Sequence, residues 1–509
     1  MRSVWQSLVW KEWHEHKWKL ASISVVLLGV TALAMANDDL DRFGAAYGML
    51  LMSMVPLSIF VGLGTAASER SRSTLPFLQS LPVPMWQVAV TKLVAGLATV
   101  TVPIIVAVVA FFLWLLAFGY FGVRVRGPLV ANMSPVLFGN WFLDVFVVCA
   151  AIAGSLFLWS AAAGVNRKDE ISAGARALSI IIGWSTFLGF FVWTFGDDPV
   201  TPMFSWLPTI GLSLAPGGGA LLLGGPALEM TQAKFALAAW ITAAVHAALV
   251  AIYLQRFGRI TEREIVSPRH AKRNELRFDW LAPPRRSPLT AIVWKQFRES
   301  GPVALVGLAG MVAIVLLMTV LQGSNARPFD TYFAVAASLG SGIALVIGIG
   351  VVLHDMGPRL LTFWRSRPID PDAWFWVKFV TGLIVMFSSL YAPLPVIAAV
   401  SQTARPHPDA LVLPALHAAA FAAAVAMTCL VRHAVYAAIF SIALLYASVA
   451  ATWGLLVAAA RVGRLPIPSE GLSDMTEAQV ALGLISCFAA STVVAWLAVR
   501  NDWGWKSRY

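Results

Sequence analysis

The stretch Ala66–Gly96, AASERSRSTLPFLQSLPVPMWQVAVTKLVAG, lies between two long apolar runs and decides how the rest of the chain is read. It opens with charge (Glu69, Arg70, Arg72) and continues with spaced apolar residues (Leu75, Phe77, Leu78, Leu81). It breaks at Pro82 and Pro84 and re-enters an apolar run just past Lys92. A tight turn would be shorter, and a disordered linker would lack the apolar spacing. The pattern predicts an amphipathic segment on a membrane surface, ended by a proline break and a snorkelling lysine, that another protein can grip.

Outward from that stretch, composition sets the class. The 509 residues are 59% hydrophobic and 12% charged, with mean hydropathy +0.75. A soluble domain carries about 25% charged residues. A helix needs roughly 20 apolar residues to cross the ~30 Å hydrocarbon core. These runs are too long for barrel strands, so the expected fold is all-α and polytopic. The expected spans are about 20–36, 45–67, 92–118, 139–164, 177–195 and 235–255, then 301–322, 332–354, 375–402, 411–431, 434–460 and 478–499. A cleavage reading of Ala34-Met35-Ala36 is set aside, because the preceding 19 residues are long and tryptophan-rich for a signal peptide and the same arrangement recurs mid-chain.

Twelve spans put both termini on one side. Under that topology 29 of the 37 Lys and Arg residues lie on the terminal side and 8 on the other, which by the positive-inside rule places both termini in the cytoplasm. The net charge of +11 is spread over many short loops, so no nucleic acid is expected as a partner, and the lipid bilayer is. The basic stretch 256–287 reads as a cytoplasmic linker. The proline- and glycine-broken segment Gly196–Glu229 suggests short re-entrant helices, or else an ordinary hydrophobic loop. Cys149, Cys429 and Cys487 all fall in apolar runs and read as small buried hydrophobes.

The chain repeats itself. Val9-Trp10-Lys11-Glu12-Trp13-His14-Glu15 aligns with Val293-Trp294-Lys295-Gln296-Phe297-Arg298-Glu299 at an offset of 284. The helical stripe Trp5, Val9, Trp13 maps onto Leu289, Val293, Phe297, although Glu12 and His16 intrude on the first copy's apolar side. At an offset of 286, Glu69 pairs with Asp355, Phe77 with Phe363, Ser80-Leu81-Pro82-Val83 with Ser366-Arg367-Pro368-Ile369, and Lys92 with Lys378. Two six-span halves repeated in the same sense follow, 1–255 and 288–509 around the linker.

An interfacial Trp-Lys-Glu-Trp helix, six spans, and the loop Glu69-Arg70-Ser71-Arg72-Ser73-Thr74-Leu75-Pro76-Phe77-Leu78-Gln79-Ser80-Leu81-Pro82-Val83 resemble the type-two permease subunits of ABC exporters. The resemblance is good over residues 1–120, looser to the end of the first half, and weaker in the second half. It implies interfacial elbow helices at 4–18 and 289–299, coupling segments at Glu69–Val83 and Asp355–Ile369, and re-entrant helices at Gly196–Glu229. The implied ATPase contacts are Glu69, Arg70, Arg72, Leu75, Phe77, Leu78 and Pro82, with Asp355, Arg359, Phe363, Arg365 and Pro368 as the second-half counterparts. It implies ATP-driven export from a bacterial plasma membrane, with the two fused halves able to form a unit alone or to pair with a second copy.

The chain has no Gly-x-x-x-x-Gly-Lys-Ser/Thr, so the nucleotide is expected on a separate ABC ATPase chain and no cofactor or catalytic residue on this one. His14 and His16 point about 200° apart on a helix, a poor pair for one metal, and no metal site is assigned. Asp144, His246, His354 and His417 are ionisable residues within spans; hydrogen-bonded structural roles are favoured over a proton relay. Two other classes remain as alternatives: a twelve-span secondary transporter, and a membrane anchor or sensor that transports nothing. The cargo is not legible.

Overall fold

The computed structural model describes residues 4–35, 42–71, 74–80, 82–119, 135–167, 170–196, 206–219, 231–259, 287–322, 332–333, 335–353, 355–356, 370–395, 397, 411–463 and 477–503. These residues are helical with short connections. The helices are α1 (Val4–Met35), α2 (Arg42–Ser71), α3 (Leu75–Ser80), α4 (Met85–Gly119), α5 (Pro135–Gly164), α6 (Glu170–Gly196) and α7 (Leu207–Leu214). They continue with α8 (Gln232–Arg256), α9 (Pro288–Gln322), α10 (Ser341–Leu353), α11 (Pro371–Tyr391), α12 (Val412–Val431), α13 (Ala434–Gly463) and α14 (Glu477–Arg500). The protein is embedded in a membrane: among the described residues eight helices are long and apolar enough to cross one. The described part of α10 has 13 residues, short of that length. α1 spends its first half on Lys11, Glu12, His14, Glu15, His16, Lys17 and Lys19.

Local chemistry sets several helix ends. Asp370 caps α11 by accepting from the Asp372 and Ala373 amides, with Pro371 at the first helical position where its missing N–H costs nothing. Thr231 caps α8 through the Lys234 amide. α12 stops at Arg432, whose φ of 55° is left-handed, and α5 is followed by Asn166 at φ 67°.

α1 runs unbroken from Val4 to Met35, and α9 unbroken from Pro288 to Gln322. The expected elbow helices 4–18 and 289–299 are therefore the first turns of the long helices and not separate elements. Trp5, Val9, Trp13, Leu289 and Phe297 do face outward, and Val293 is half-buried.

The packing recurs along the chain. α1 lies on α4 and α2, as α9 lies on α11 and α10. α2 packs on α5, as α10 packs on α12. The two groups then meet reciprocally, α6 against α9 and α1 against α13, with α2 also on α13 and α6 on α10.

Glycine makes the closest approaches. An added Cβ at Gly62 would lie 2.7 Å from the Phe157 carbonyl oxygen, and one at Gly96 2.7 Å from the Phe157 ring. At the same offset of 286, Gly348 would meet the Phe421 carbonyl oxygen at 2.6 Å and Gly382 the Phe421 ring at 3.1 Å. Each phenylalanine, wholly buried, is clasped between two helices that only glycine lets in so close. No feature of the sequence reading singled out these four glycines.

Candidate functional site

Two charges of the coupling stretch, Glu69 and Lys92, turn inward. Glu69 ends α2 with 6% of its surface exposed, and Lys92, one to two turns into α4, is 1% exposed. Lys92 Nζ lies 2.7 Å from Glu69 Oε1, 3.2 Å from Glu12 Oε1 and 3.8 Å from Glu15 Oε2. From α1, Lys11 reaches the same Glu69 oxygen at 2.9 Å. Three helices are thus joined through one carboxylate. Charges removed from water persist only when paired and hydrogen-bonded, and here each has at least two partners. The snorkelling role expected for Lys92 is overturned, because the side chain is enclosed by carboxylates and does not reach for the interface.

Glu12 and His16, which spoiled the apolar stripe of α1, lie on its protein-facing side, with 2% and 6% exposure. His16 Nδ1 sits 2.8 Å from the Thr99 hydroxyl, which itself donates to the Ala95 carbonyl, so Nδ1 is the donor of that pair. Burial first, then Lys19, Lys92 and Lys11, hold the His16 imidazole well below its ordinary range and therefore neutral.

The arrangement recurs at Asp355. Lys378, 1% exposed on α11, pairs with Asp355 at 2.6 Å and donates to the Val351 carbonyl at 2.7 Å. Lys295 of α9 pairs with the other Asp355 oxygen and with Glu299 at 3.6 Å. Gln296 stands where the first network has Glu12, and donates to Ser300, at the position of His16, at 2.6 Å. Lys378 is therefore also buried and does not snorkel.

Burial alone would raise the Glu69 carboxyl, but Lys92, the Thr74 hydroxyl and Lys11 outweigh it and hold it below the ordinary range. Burial likewise would raise the Asp355 carboxyl, but Lys378 and Lys295 outweigh it and hold it below the ordinary range. Glu12, Glu15 and Glu69 each bring an oxygen within 4.8 Å of the others, spacing that could hold a cation. The ammonium groups of Lys11 and Lys92 already sit among them and supply that charge.

Of the residues expected to contact an ATPase, Leu75 and Leu78 are buried against this chain's own core, while Phe77 is 65% exposed and Pro82 is exposed. Arg70 donates to the Asn166 carbonyl at 3.1 Å and the Arg259 carbonyl at 2.9 Å, and Gln79 to the Gly258 carbonyl at 2.7 Å. The end of α2 is thereby bound to the turn after α5 and to the residues after α8, and α3 to the residues after α8. Glu69 and Asp355 are interior ions and do not present a charged surface to a partner. Arg72, Arg359, Phe363, Arg365, Pro368 and His354, the side chain of Asp144 and most of the linker 256–287 lie outside the described residues. His246 is half-buried, and His417 is fully buried and hydrogen-bonded to the Ala336 carbonyl and to Tyr391. Compared with known proteins, the chain fits no family model and matches no curated sequence.

Proposed function

We propose that this chain is the membrane-spanning permease subunit of an ATP-driven export system, two six-span halves fused in parallel, with ATP hydrolysed by a separate ABC-type ATPase. In this reading twelve helices span, all but α3 and α7, both termini are cytoplasmic, the two ion networks lie at the cytoplasmic face of a bacterial plasma membrane, and α7 is a short re-entrant helix on the outer side. The observation that carries it is the duplicated joint Lys11–Glu69–Lys92 and Lys295–Asp355–Lys378, whose acid in each half stands at or just past the end of a helix, α2 or α10. A buried ion network ties α1, α2 and α4 just ahead of α3, whose Phe77 is exposed. A push on Phe77 is then carried by rigid contacts into three helices at once, which an ATPase on the cytoplasmic face requires to move a bundle. The reciprocal packing of α1 on α13 and α6 on α9 matches a two-fold relation within one chain, so a single copy supplies both halves.

The test is capture of an ATP-hydrolysing complex on the tagged full chain from its own membranes. Phe77→Asp is expected to abolish the captured ATPase activity while leaving the chain's melting temperature unchanged, because Phe77 is exposed. Transport driven by a proton or sodium gradient in vesicles containing this chain alone would overturn the reading in favour of a secondary transporter.

A further inference from the structure

α10 is entered through a different kind of turn. Residues Ala336–Gly340 form a π-helical turn that passes directly into Ser341–Leu353. A π turn takes in about one residue more than an α turn, so the helix after it is rotated by about 100° against the helix before it. Both sides are held by the same neighbour. Ahead of the turn, the fully buried Tyr332 donates its hydroxyl to the Leu390 carbonyl of α11. Beyond it, Asp355 pairs with Lys378 of α11. A continuous α-helix in this place keeps one of these contacts and swings the other away.

His417 of α12 holds the turn open. Its Nε2 lies 2.8 Å from the Ala336 carbonyl and its Nδ1 2.8 Å from the Tyr391 hydroxyl. A carbonyl only accepts, so Nε2 carries the proton and Nδ1 accepts from Tyr391. The Ser341 hydroxyl donates to the Ala337 carbonyl at 2.7 Å, serving the next group along. Gly340 makes room, since a Cβ there would stand 2.8 Å from His417 Nε2. The corresponding helix α2 has no such turn among the described residues. α2 is α-helical from Arg42 to Ser71, and the offset that pairs Phe157 with Phe421 puts Ala153 opposite His417.

We propose that the π turn of α10 is a two-state register element that couples the Tyr332–Leu390 contact at one end of the helix to the Asp355–Lys378 ion pair at the other, with His417 as the residue that positions it. Releasing either contact lets the turn relax to α and removes the demand on the other. The element needs no partner protein, so it stands or falls separately from the ATPase reading.

The test is a double-mutant cycle on the melting temperature of the purified full chain. Tyr332 and Asp355 are roughly 35 Å apart along the helix axis, and effects of substitutions that distant ordinarily add. Tyr332→Phe is expected to cost the Asp355→Asn protein less than about half of what it costs the wild type. The same loss of effect is expected in His417→Leu. His417→Gln, whose amide can still donate to the Ala336 carbonyl, keeps the full wild-type cost. Glu69→Gln combined with Tyr332→Phe must add, because no register element links them. If Asp355→Asn does not fold, Lys295→Gln takes its place in the cycle. Additive losses in the second half, or equal non-additivity in the Glu69 control, overturn the proposal.

Discussion

Lys92 and Lys378 occupy matching places, yet the first is held by three carboxylates and the second by one carboxylate and a backbone carbonyl. The exchange of Glu12 for Gln296 and of His16 for Ser300 accounts for much of the difference. Both solutions satisfy a buried ammonium, so the shared requirement is a joint between three helices and not a particular charge count. They differ in redundancy. The first joint can lose a partner and remain ionically paired, whereas among the described residues no carboxylate but Asp355 lies within 4 Å of Lys378.

The largest expected effect follows directly. Asp355→Asn takes from the buried Lys378 the one carboxylate within 4 Å of it among the described residues, which costs about 3–5 kcal/mol. Glu69→Gln leaves Lys92 with Glu12 at 3.2 Å, so the loss is smaller, at about 1–3 kcal/mol. Denaturation of the two variants beside the wild type in one detergent checks the order. Equal losses would show that redundancy does not matter.

The same comparison shows what the residues alone disclosed. The all-helical membrane class was plain from apolar run length, and Glu69, Asp355, Lys92 and Lys378 stood out because they repeat at one offset. Their meaning was not legible. A charge beside a span reads as a surface charge unless its partner is known, and Lys11 is 58 residues from Glu69. Glu12 and His16 looked like faults in an interfacial apolar stripe because no partner for them is visible nearby in the sequence, when they turn toward the protein and the tryptophans face outward. The boundary near residue 19 vanished because nothing there breaks a helix. Clasp glycines in apolar runs carry no signal by themselves, since Phe157 and Phe421 are far from them in the chain.

Those clasps give the next effect, and here the two sites should agree. Gly62→Ala and Gly348→Ala place a Cβ 2.7 Å and 2.6 Å from a backbone oxygen that cannot step aside like a side chain. Each is expected to cost about 1–3 kcal/mol by forcing the helices apart. Gly342→Ala, where a Cβ meets nothing within 4 Å, serves as the control and should cost nothing. A large difference between Gly62→Ala and Gly348→Ala would break the correspondence between the two clasps.

Acid should loosen both joints gradually. The folded Glu69 and Asp355 carboxyls lie below their ordinary values of 4.5 and 3.8, so each contributes stability that is complete above those values. That contribution is lost as pH falls through the folded value, because the unfolded chain takes up the proton first. Melting temperature should therefore decline as pH drops below about 4.5, and Glu69→Gln should flatten the upper part of that decline. A decline that is unchanged in Glu69→Gln would mean that other carboxylates carry it.

The smallest effect lies at the turns that close the fourth long helix of each set. Asn166 and Arg432 both have left-handed φ, 67° and 55°. Asparagine tolerates that region better than arginine does. Arg432 is retained with an ion pair to Asp502 at 2.8 Å, but that pair is part-exposed and its Nε is buried without a hydrogen-bond partner. An exposed pair contributes about 0–1 kcal/mol, and easing a left-handed residue returns a similar amount. Arg432→Asn, which copies the Asn166 turn onto the Arg432 turn, should therefore change stability by less than about 0.5 kcal/mol. Arg432→Ala loses the pair, gains no tolerance of the left-handed turn, and should cost up to about 1 kcal/mol. The two variants separate the backbone contribution from the ionic one. If asparagine proves as costly as alanine, the Arg432–Asp502 pair holds the turn and the backbone preference does not.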